Sequence, residues 1–367
     1  MNTISSTPKV DGFRMPGEHE AHDEIWLGWP ERTDTWQWGA KPAQKSFAEV
    51  ANTISRYTQV SVGVSASQFK NARNQLNPEI RLIEMSSNDS WLRDTGPTYV
   101  VNDKGERRAI DWQFNAWGGL VNGLYFPWDL DDAIATKIAN IYRDKIYKAP
   151  FVLEGGSIHS DGEGTIYTTK ECLLHPSRNP DLTQDEIETY LKEYLGAEKV
   201  IWIENGLYAD DDTNGHIDNL MHVVAPGQVV LSWTDDINDP QYLISNAALK
   251  VLESQQDAQG RNIIIHKLNL PTPLKITEEE GKGFDYCEGM DRQIGTRLAA
   301  SYANFLITNK LILFPKLCSE SDSQAQQQLE QIFPEHSVIG IEARNILLGG
   351  GNIHCITQQI PTLQGTK

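Results

Sequence analysis

Two stretches of this chain, Leu153-Glu-Gly-Gly-Ser-Ile-His159 and Leu348-Gly-Gly-Gly-Asn-Ile-His354, read with one pattern, L-x-G-G-x-I-H. Both occupy the same kind of place, a glycine-rich loop after an apolar, strand-like segment, so they argue for a chain built by repetition. Working outward from them, apolar residues three and four apart mark amphipathic helices. Phe47, Val50, Ala51, Ile54 and Tyr57 mark one that opens after Pro42. Ile187, Tyr190, Leu191, Tyr194 and Leu195 mark another, with Thr183 and Glu186 as a capping box and Gly196 as its stop. Asp239-Pro240 starts a third, and weaker patterns run over 129–143 and 322–333. Each helix leads into a strand-like segment, at 60–64, 151–153, 200–203, 263–268 and 338–341. A polar or glycine-rich loop follows, and then a hairpin pattern such as 97–101 with 109–114, 221–224 with 229–233, or 304–308 with 311–314. The order helix, strand, polar loop, strand, strand recurs about five times. The last unit lacks its closing strand, which 25–29 near the start of the chain can supply. That pairing would close a ring and hide the sheet edges. The expectation is one ring-like α/β domain over residues 1–367.

The chain has 367 residues, 32 Lys and Arg against 50 Asp and Glu, and a formal charge of −18. Hydrophobic residues at 39 %, with ten Trp, suffice for a large core and exclude wholesale disorder. The negative balance argues against nucleic acid, whose phosphates need a basic footprint, and suits a cationic ligand. A soluble, self-repelling surface explains the charge equally well. Cys172, Cys287, Cys318 and Cys355 form no C-x-x-C pair, so neither a disulfide framework nor a zinc ribbon is expected. Residues 1–20 lack an apolar stretch of the secretory kind, and no apolar run reaches the roughly 18 residues of a membrane span. A cytoplasmic protein with reduced thiols is the expectation, with no membrane partner.

Repetition should bring the polar loops together near one axis. They contain Trp91-Leu-Arg-Asp94, Glu154 with His159, Asp212-Thr-Asn-Gly-His216-Ile-Asp218, and Gly349-Gly-Gly-Asn-Ile-His-Cys355. Cys355 follows three glycines, which let the backbone approach a ligand, and a cysteine so placed is poised as a nucleophile. Most free cysteines are small buried hydrophobes, and that reading holds for the other three. If Gly215 leads into a strand, His216 and Asp218 share a face and point into the pocket. They then serve as an acid/base histidine beside a binding carboxylate, as metal ligands together with His222, or as a locally capped histidine. Strand geometry discourages the metal set, because His222 lies further along. Asp94 beside Arg93 is either a surface ion pair or a pocket acid near Trp91, whose flat face can stack on a planar cation. Glu154 is a turn residue or a pocket acid.

These parts suit attack on a guanidinium group, whose fork of N–H donors matches carboxylates two bonds at a time. Asp94 and Asp218 would clamp it with its central carbon against the Cys355 sulfur. The delocalised cation is a poor electrophile, so a thiolate and close positioning are both needed. The bound cation would itself favour the thiolate. His216 would protonate the departing ammonia and then activate water.

At these residues the chain resembles the agmatine deiminases, of the guanidine-modifying superfamily that includes the peptidylarginine deiminases. Asn88-Asp-Ser-Trp-Leu-Arg-Asp94, Asp111-Trp-Gln-Phe-Asn-Ala-Trp-Gly-Gly119 and Leu153-Glu-Gly-Gly-Ser-Ile-His159 carry the resemblance. So do Asp212-Thr-Asn-Gly-His-Ile-Asp-Asn219, Thr296-Arg-Leu-Ala-Ala-Ser-Tyr302 and Gly349-Gly-Gly-Asn-Ile-His-Cys-Ile-Thr-Gln-Gln359, so it spans nearly the whole chain. It implies a five-bladed ββαβ propeller, the pentein fold, with its site on a pseudo-fivefold axis. It implies cofactor-free and metal-free hydrolysis of agmatine to N-carbamoylputrescine and ammonia in polyamine metabolism, by a homodimer or homotetramer. Carried onto this chain, Cys355 is the nucleophile, His216 the general acid/base, and Asp94 and Asp218 the guanidinium ligands. Trp91, Glu154 and Asp212 would line the pocket. The chain departs from the family pattern at His19, and His222 reads as incidental. Two rivals stand beside this reading: a metallohydrolase using His216, Asp218 and His222, and a non-catalytic module that binds cationic amines.

Overall fold

A hairpin, a helix and a returning strand make one unit, and the computed structural model, which describes residues 3–290 and 292–363, contains five of them. In each, two antiparallel strands are followed by a helix and then by a strand parallel to the second. Thr98–Val101 pairs with Arg107–Gln113, which pairs with Ile146–Val152. Ile158–Ser160, Thr165–Thr169 and Lys199–Ile203 repeat the pattern. Met221–Ala225, Gln228–Trp233 and Ile264–Asn269 follow, and then Leu306–Thr308, Leu311–Lys316 and Ser337–Glu342. The fifth unit draws on both ends of the chain: Thr357–Pro361 pairs antiparallel with His22–Gly28, which pairs parallel with Gln59–Val64. The expected partner for the last unit is therefore the observed one. The sheets themselves stay separate, each with its own edges, and do not bond into one closed sheet. Two gain an unexpected fourth strand, Arg81–Glu84 and Thr3–Ile4.

A parallel return needs a crossover, and the helices supply it. Gln184–Leu195 starts on the Thr183–Glu186 capping box and ends at Gly196, as its spacing predicts. Pro240–Ser254 starts with the Asp239 side chain accepting from the Gln241 N–H, while proline fills a position whose N–H needs no partner. Lys41–Ile54 carries Pro42 in its first turn and ends before Tyr57. The pattern over 129–143 breaks into Asp129–Asp132 and Ile134–Tyr142, and the last of these crossover helices is Asp322–Ile332.

The middle strand of each unit is buried on both faces, which explains its continuous apolar character. In Gln228–Trp233, Val229 and Leu231 pack with Ala248 and Leu252 of the unit's own helix. Val230 points the other way, among Tyr302, Phe305 and Phe314 of the next unit. Each such Val or Leu contributes roughly 1.5–3 kcal/mol. Alternation along one strand thus ties neighbouring units together. Among the described residues no helix is long and apolar enough to cross a membrane.

Candidate active site

Every unit ends in a strand whose chain then passes through an irregular stretch before the next hairpin. Residues 85–97, 153–157, 204–220, 270–305 and 343–356 are those five stretches, and they deliver the candidate residues. The strand expected after Gly215 does not form: His216 caps a single helical turn, Ile217–Leu220, and the strand starts at Met221. His216 and Asp218 nevertheless reach the same place: His216 sits at the N-cap position and Asp218 within the turn, and both side chains lie against Gly156. A Cβ at Gly156 would lie 2.6 Å from His216 Nδ1 and 3.0 Å from both Asp94 Oδ1 and Asp218 Oδ2. Glycine in the first copy of the echo is thus what lets three functional groups close on one point.

Cys355 is buried, with Sγ 3.6 Å from Asp218 Oδ2 and 3.1 Å from Asn304 Nδ2. Burial, and then the charges of Asp218 and Asp94, push its thiol well above the ordinary range and favour the protonated form. All three glycines line the cavity beside Cys355, and the backbone there also packs closely: a Cβ on Gly351 would strike Trp91 at 2.6 Å and Cys355 Sγ at 3.0 Å.

Asp94 is not a surface acid paired with Arg93. Both are buried, and Asp94 accepts from Gly156 N (2.8 Å) and Trp117 Nε1 (2.9 Å). Burial raises its carboxyl, His216 opposes the rise, and Asp218 and Glu154 reinforce it. Arg93 turns away to Glu18 (3.1 Å) and Gln358 (2.9 Å), and its backbone N–H donates to the Cys355 carbonyl at 3.1 Å.

His216 is fully buried, 3.9 Å from Asp94 through Nδ1 and 3.8 Å from Glu154 through Nε2. Burial disfavours its charge, but Asp94, Cys172 and Glu154 outweigh that and hold it well above its usual range. Asp218 lies below its usual range: burial would raise it, and His354, then His216 and Arg93, pull it down. Glu154 is also wholly buried, behind His216 rather than on the cavity wall, and Arg178 donates to it at 2.6 Å. Burial opposes that charge, but Arg178 and His216 bring its pKa to about 2.

Cys355 and Asp94 form the floor of a cavity of about 340 Å³, walled by Trp91, Trp117 and Tyr125 with Asp212 at one side. Trp91 stacks on Trp36 at 4.9 Å, and both indoles donate to Asp89. Stacking of this kind adds about 0.5–1.5 kcal/mol and stiffens the wall. Asp212 is paired with Arg292 at 2.7 Å. Trp117 reaches Asp94 because Ala116 and Trp117 take successive positive φ values of 54° and 60°. Such backbone costs energy that the packed site must offset.

Several residues of this neighbourhood carry little local signal in the sequence. Asn304 reads only as the start of a hairpin, Arg178 and Glu18 stand in no pattern that marks them, and Trp117 lies in the Asp111–Gly119 motif without being singled out there. His354 does stand in one. It is the echo partner of His159, and the two rings lie 5.2 Å apart, so the repeat itself brings them together. His222 lies in the same buried cluster, with its Nε2 3.3 Å from Glu18. The metal set of His216, Asp218 and His222 is not assembled. Among the described residues the groups close enough to share an ion are Glu18 with His159, His222 and His354, and Glu154 with Cys172 and His216. His19 is only partly buried, beside Gly17 and away from the cavity.

A chain of Photobacterium profundum, provisionally named an agmatine deiminase, is 59 % identical over 358 residues, covering 98 % of each chain. The solved structure of the agmatine deiminase of Enterococcus faecalis superposes with a TM-score of 0.95 at 48 % identity, again over 98 % of each. A cysteine-to-serine variant of C. jejuni agmatine deiminase, solved with substrate bound, gives a TM-score of 0.81 at 29 % identity over 97 % of each. Residues 14–361 match the Porphyromonas-type peptidyl-arginine deiminase family, and the chain belongs to that family.

Proposed function

We propose that this chain is an agmatine deiminase that converts agmatine and water to N-carbamoylputrescine and ammonia. The observation that carries the reading is that Asp94, His216 and Asp218 meet around Gly156, with Asp218 3.6 Å from the Cys355 sulfur, and that Cys355 and Asp94 line an acidic, aromatic-walled cavity. Asp94 and Asp218 receive the guanidinium N–H groups and aim its carbon at Cys355 Sγ. Burial, and then the charges of Asp218 and Asp94, hold the thiol protonated; the cation offsets those two charges, so on binding the thiol releases its proton to solvent and becomes the thiolate. Sulfur then bonds to the carbon, and a C–N bond breaks as His216 gives its proton to the leaving ammonia. Water attacks the resulting thiouronium-type adduct while His216 takes a proton back. The C–S bond breaks, and the ureido product leaves with the thiolate restored. Glu154, held ionised by Arg178, keeps His216 charged until that transfer.

The five ββαβ units support a five-bladed arrangement about a pseudo-fivefold axis, with the five irregular stretches at its centre. We read residues 1–367 as one such domain, of which 1, 2, 291 and 364–367 lie outside the described residues. The reaction so written needs no cofactor. A cytoplasmic homodimer or homotetramer completes the reading.

Agmatine, free arginine and peptidyl-arginine share the reacting group and differ only beyond it. Ureido-product formation from agmatine, with the other two at least tenfold slower, is the expected result. No ureido product from any of the three sinks the enzyme reading and leaves the amine-binding module. Trp117→Phe keeps an aromatic ring and deletes the donor to Asp94. Loss of one hydrogen bond to a buried carboxylate should lower kcat/KM for agmatine roughly 10- to 100-fold. A change of less than twofold removes Trp117 from the account.

A further inference from the structure

Asp218 ends a line of buried charges whose other members, Arg93, Glu18 and His354, have no part in the reaction just described. His354 places Nε2 2.8 Å from Glu18 Oε1 and Nδ1 2.8 Å from Asp218 Oδ2. Ionised carboxylates only accept, so both ring nitrogens donate and His354 is an imidazolium. Burial and Arg93 oppose that charge, and Glu18 and Asp218 outweigh them. Arg93 Nη1 closes the line at 3.1 Å from Glu18. Signs therefore alternate, Arg93, Glu18, His354, Asp218, through a region with almost no solvent exposure.

At Asp218 this line has a geometric consequence. Oδ2 is bonded to His354 and lies beside Cys355, whereas Oδ1 is buried with no hydrogen-bond partner. A buried carboxylate oxygen without a donor is costly, and Asp218 lies against Cys355, which lines the cavity, so a ligand N–H can supply the missing donor. We propose that Glu18 and His354 are positioning residues that fix Asp218 by its Oδ2 and so present Oδ1 to the substrate guanidinium. The proposal rests on the reading of Asp218 as a guanidinium ligand. Asp94, His216, Asp210, Cys355 and Arg93 also face Asp218, and Arg93, His22, His159 and His222 face Glu18. Of these, only His354 bonds to both carboxylates.

The test compares wild type, Glu18→Gln, His354→Gln and His159→Gln by kcat and KM for agmatine across pH 5–9. Both line variants should lose roughly 10- to 100-fold in kcat/KM, carried mainly by KM. Their acid limb should move to higher pH, because Asp218 no longer sits beside an imidazolium and protonates more easily. His159→Gln shares the cluster without touching Asp218 and should leave the limb in place. Alkylation of Cys355, followed by peptide mass spectrometry, needs no turnover. It should shift to higher pH in His354→Gln, where a nearby positive charge is gone. An unmoved acid limb, or a uniform loss that tracks only the folded fraction, overturns the proposal. If wild type makes no ureido product, the enzyme reading fails by itself. An unshifted alkylation profile in His354→Gln then overturns the positioning role independently.

Discussion

Cys355→Ser should cut ureido-product formation from agmatine roughly 10⁴-fold or more while agmatine still binds. The effect is chemical rather than steric. A hydroxyl fits the space bounded by Asn304 and Asp218, so the cavity and its carboxylates persist. No bound cation brings a serine hydroxyl near ionisation, whereas a thiol starts far closer to it. Even the thiol is held protonated by burial and by Asp218 and Asp94. Steady-state turnover with equilibrium binding measured by calorimetry separates the two effects. Turnover within tenfold of wild type would end the case for a covalent path through sulfur. Loss of binding together with turnover would show that Cys355→Ser had disturbed the carboxylates instead.

The second large effect is expected away from the reacting atoms. Arg178 and Glu154 are both wholly buried at 2.6 Å, and Arg178 also donates to Asn214 and the Thr213 carbonyl. Arg178→Leu strands Glu154 in the interior, and breaking a buried pair from one side costs about 3–5 kcal/mol. The pH dependence carries the sign. In the wild type Glu154 lies near 2, below its ordinary 4.5, so its pairing stabilises the fold above pH 4.5 and fades as pH falls toward 2. In the variant, burial acts without Arg178, and the folded state prefers the protonated acid. The deficit should therefore be largest near neutrality and shrink below about pH 4.5. Denaturant midpoints at pH 7 and pH 4 test this. A deficit under about 1 kcal/mol at pH 7, or one equal at both pH values, contradicts the assignment. His216, 3.8 Å from Glu154, should lose basicity in the same variant.

Local patterns are readable where a short-range rule decides the outcome. The capping box at Thr183, the proline start at Pro240 and the hairpins all appear close to their expected bounds, because each depends on residues a few positions apart. The stretch after Gly215 shows the limit of that reasoning. Alternation predicts a strand there, with His216 and Asp218 on one face, yet they converge from a helical turn. Their convergence is recoverable from the repeat, and its local backbone is not. Glu154 is readable as an acid before two glycines, but its place behind His216 depends on Arg178, 24 residues on. Asn304 offers no motif, and its bond to the Cys355 sulfur joins positions 51 residues apart.

Residue order alone settled the capped helix starts at Thr183 and Asp239 and which loops hold a thiol, an imidazole and two carboxylates, since periodicity and capping are properties of neighbouring residues. Tertiary structure alone decided which oxygen of Asp218 is free, why Cys355 keeps its proton, and that Arg93 serves Glu18 and not Asp94. Those are questions of charge and hydrogen-bond geometry in a buried space. Only the packing of all five units creates that space, so no single segment can encode the answer.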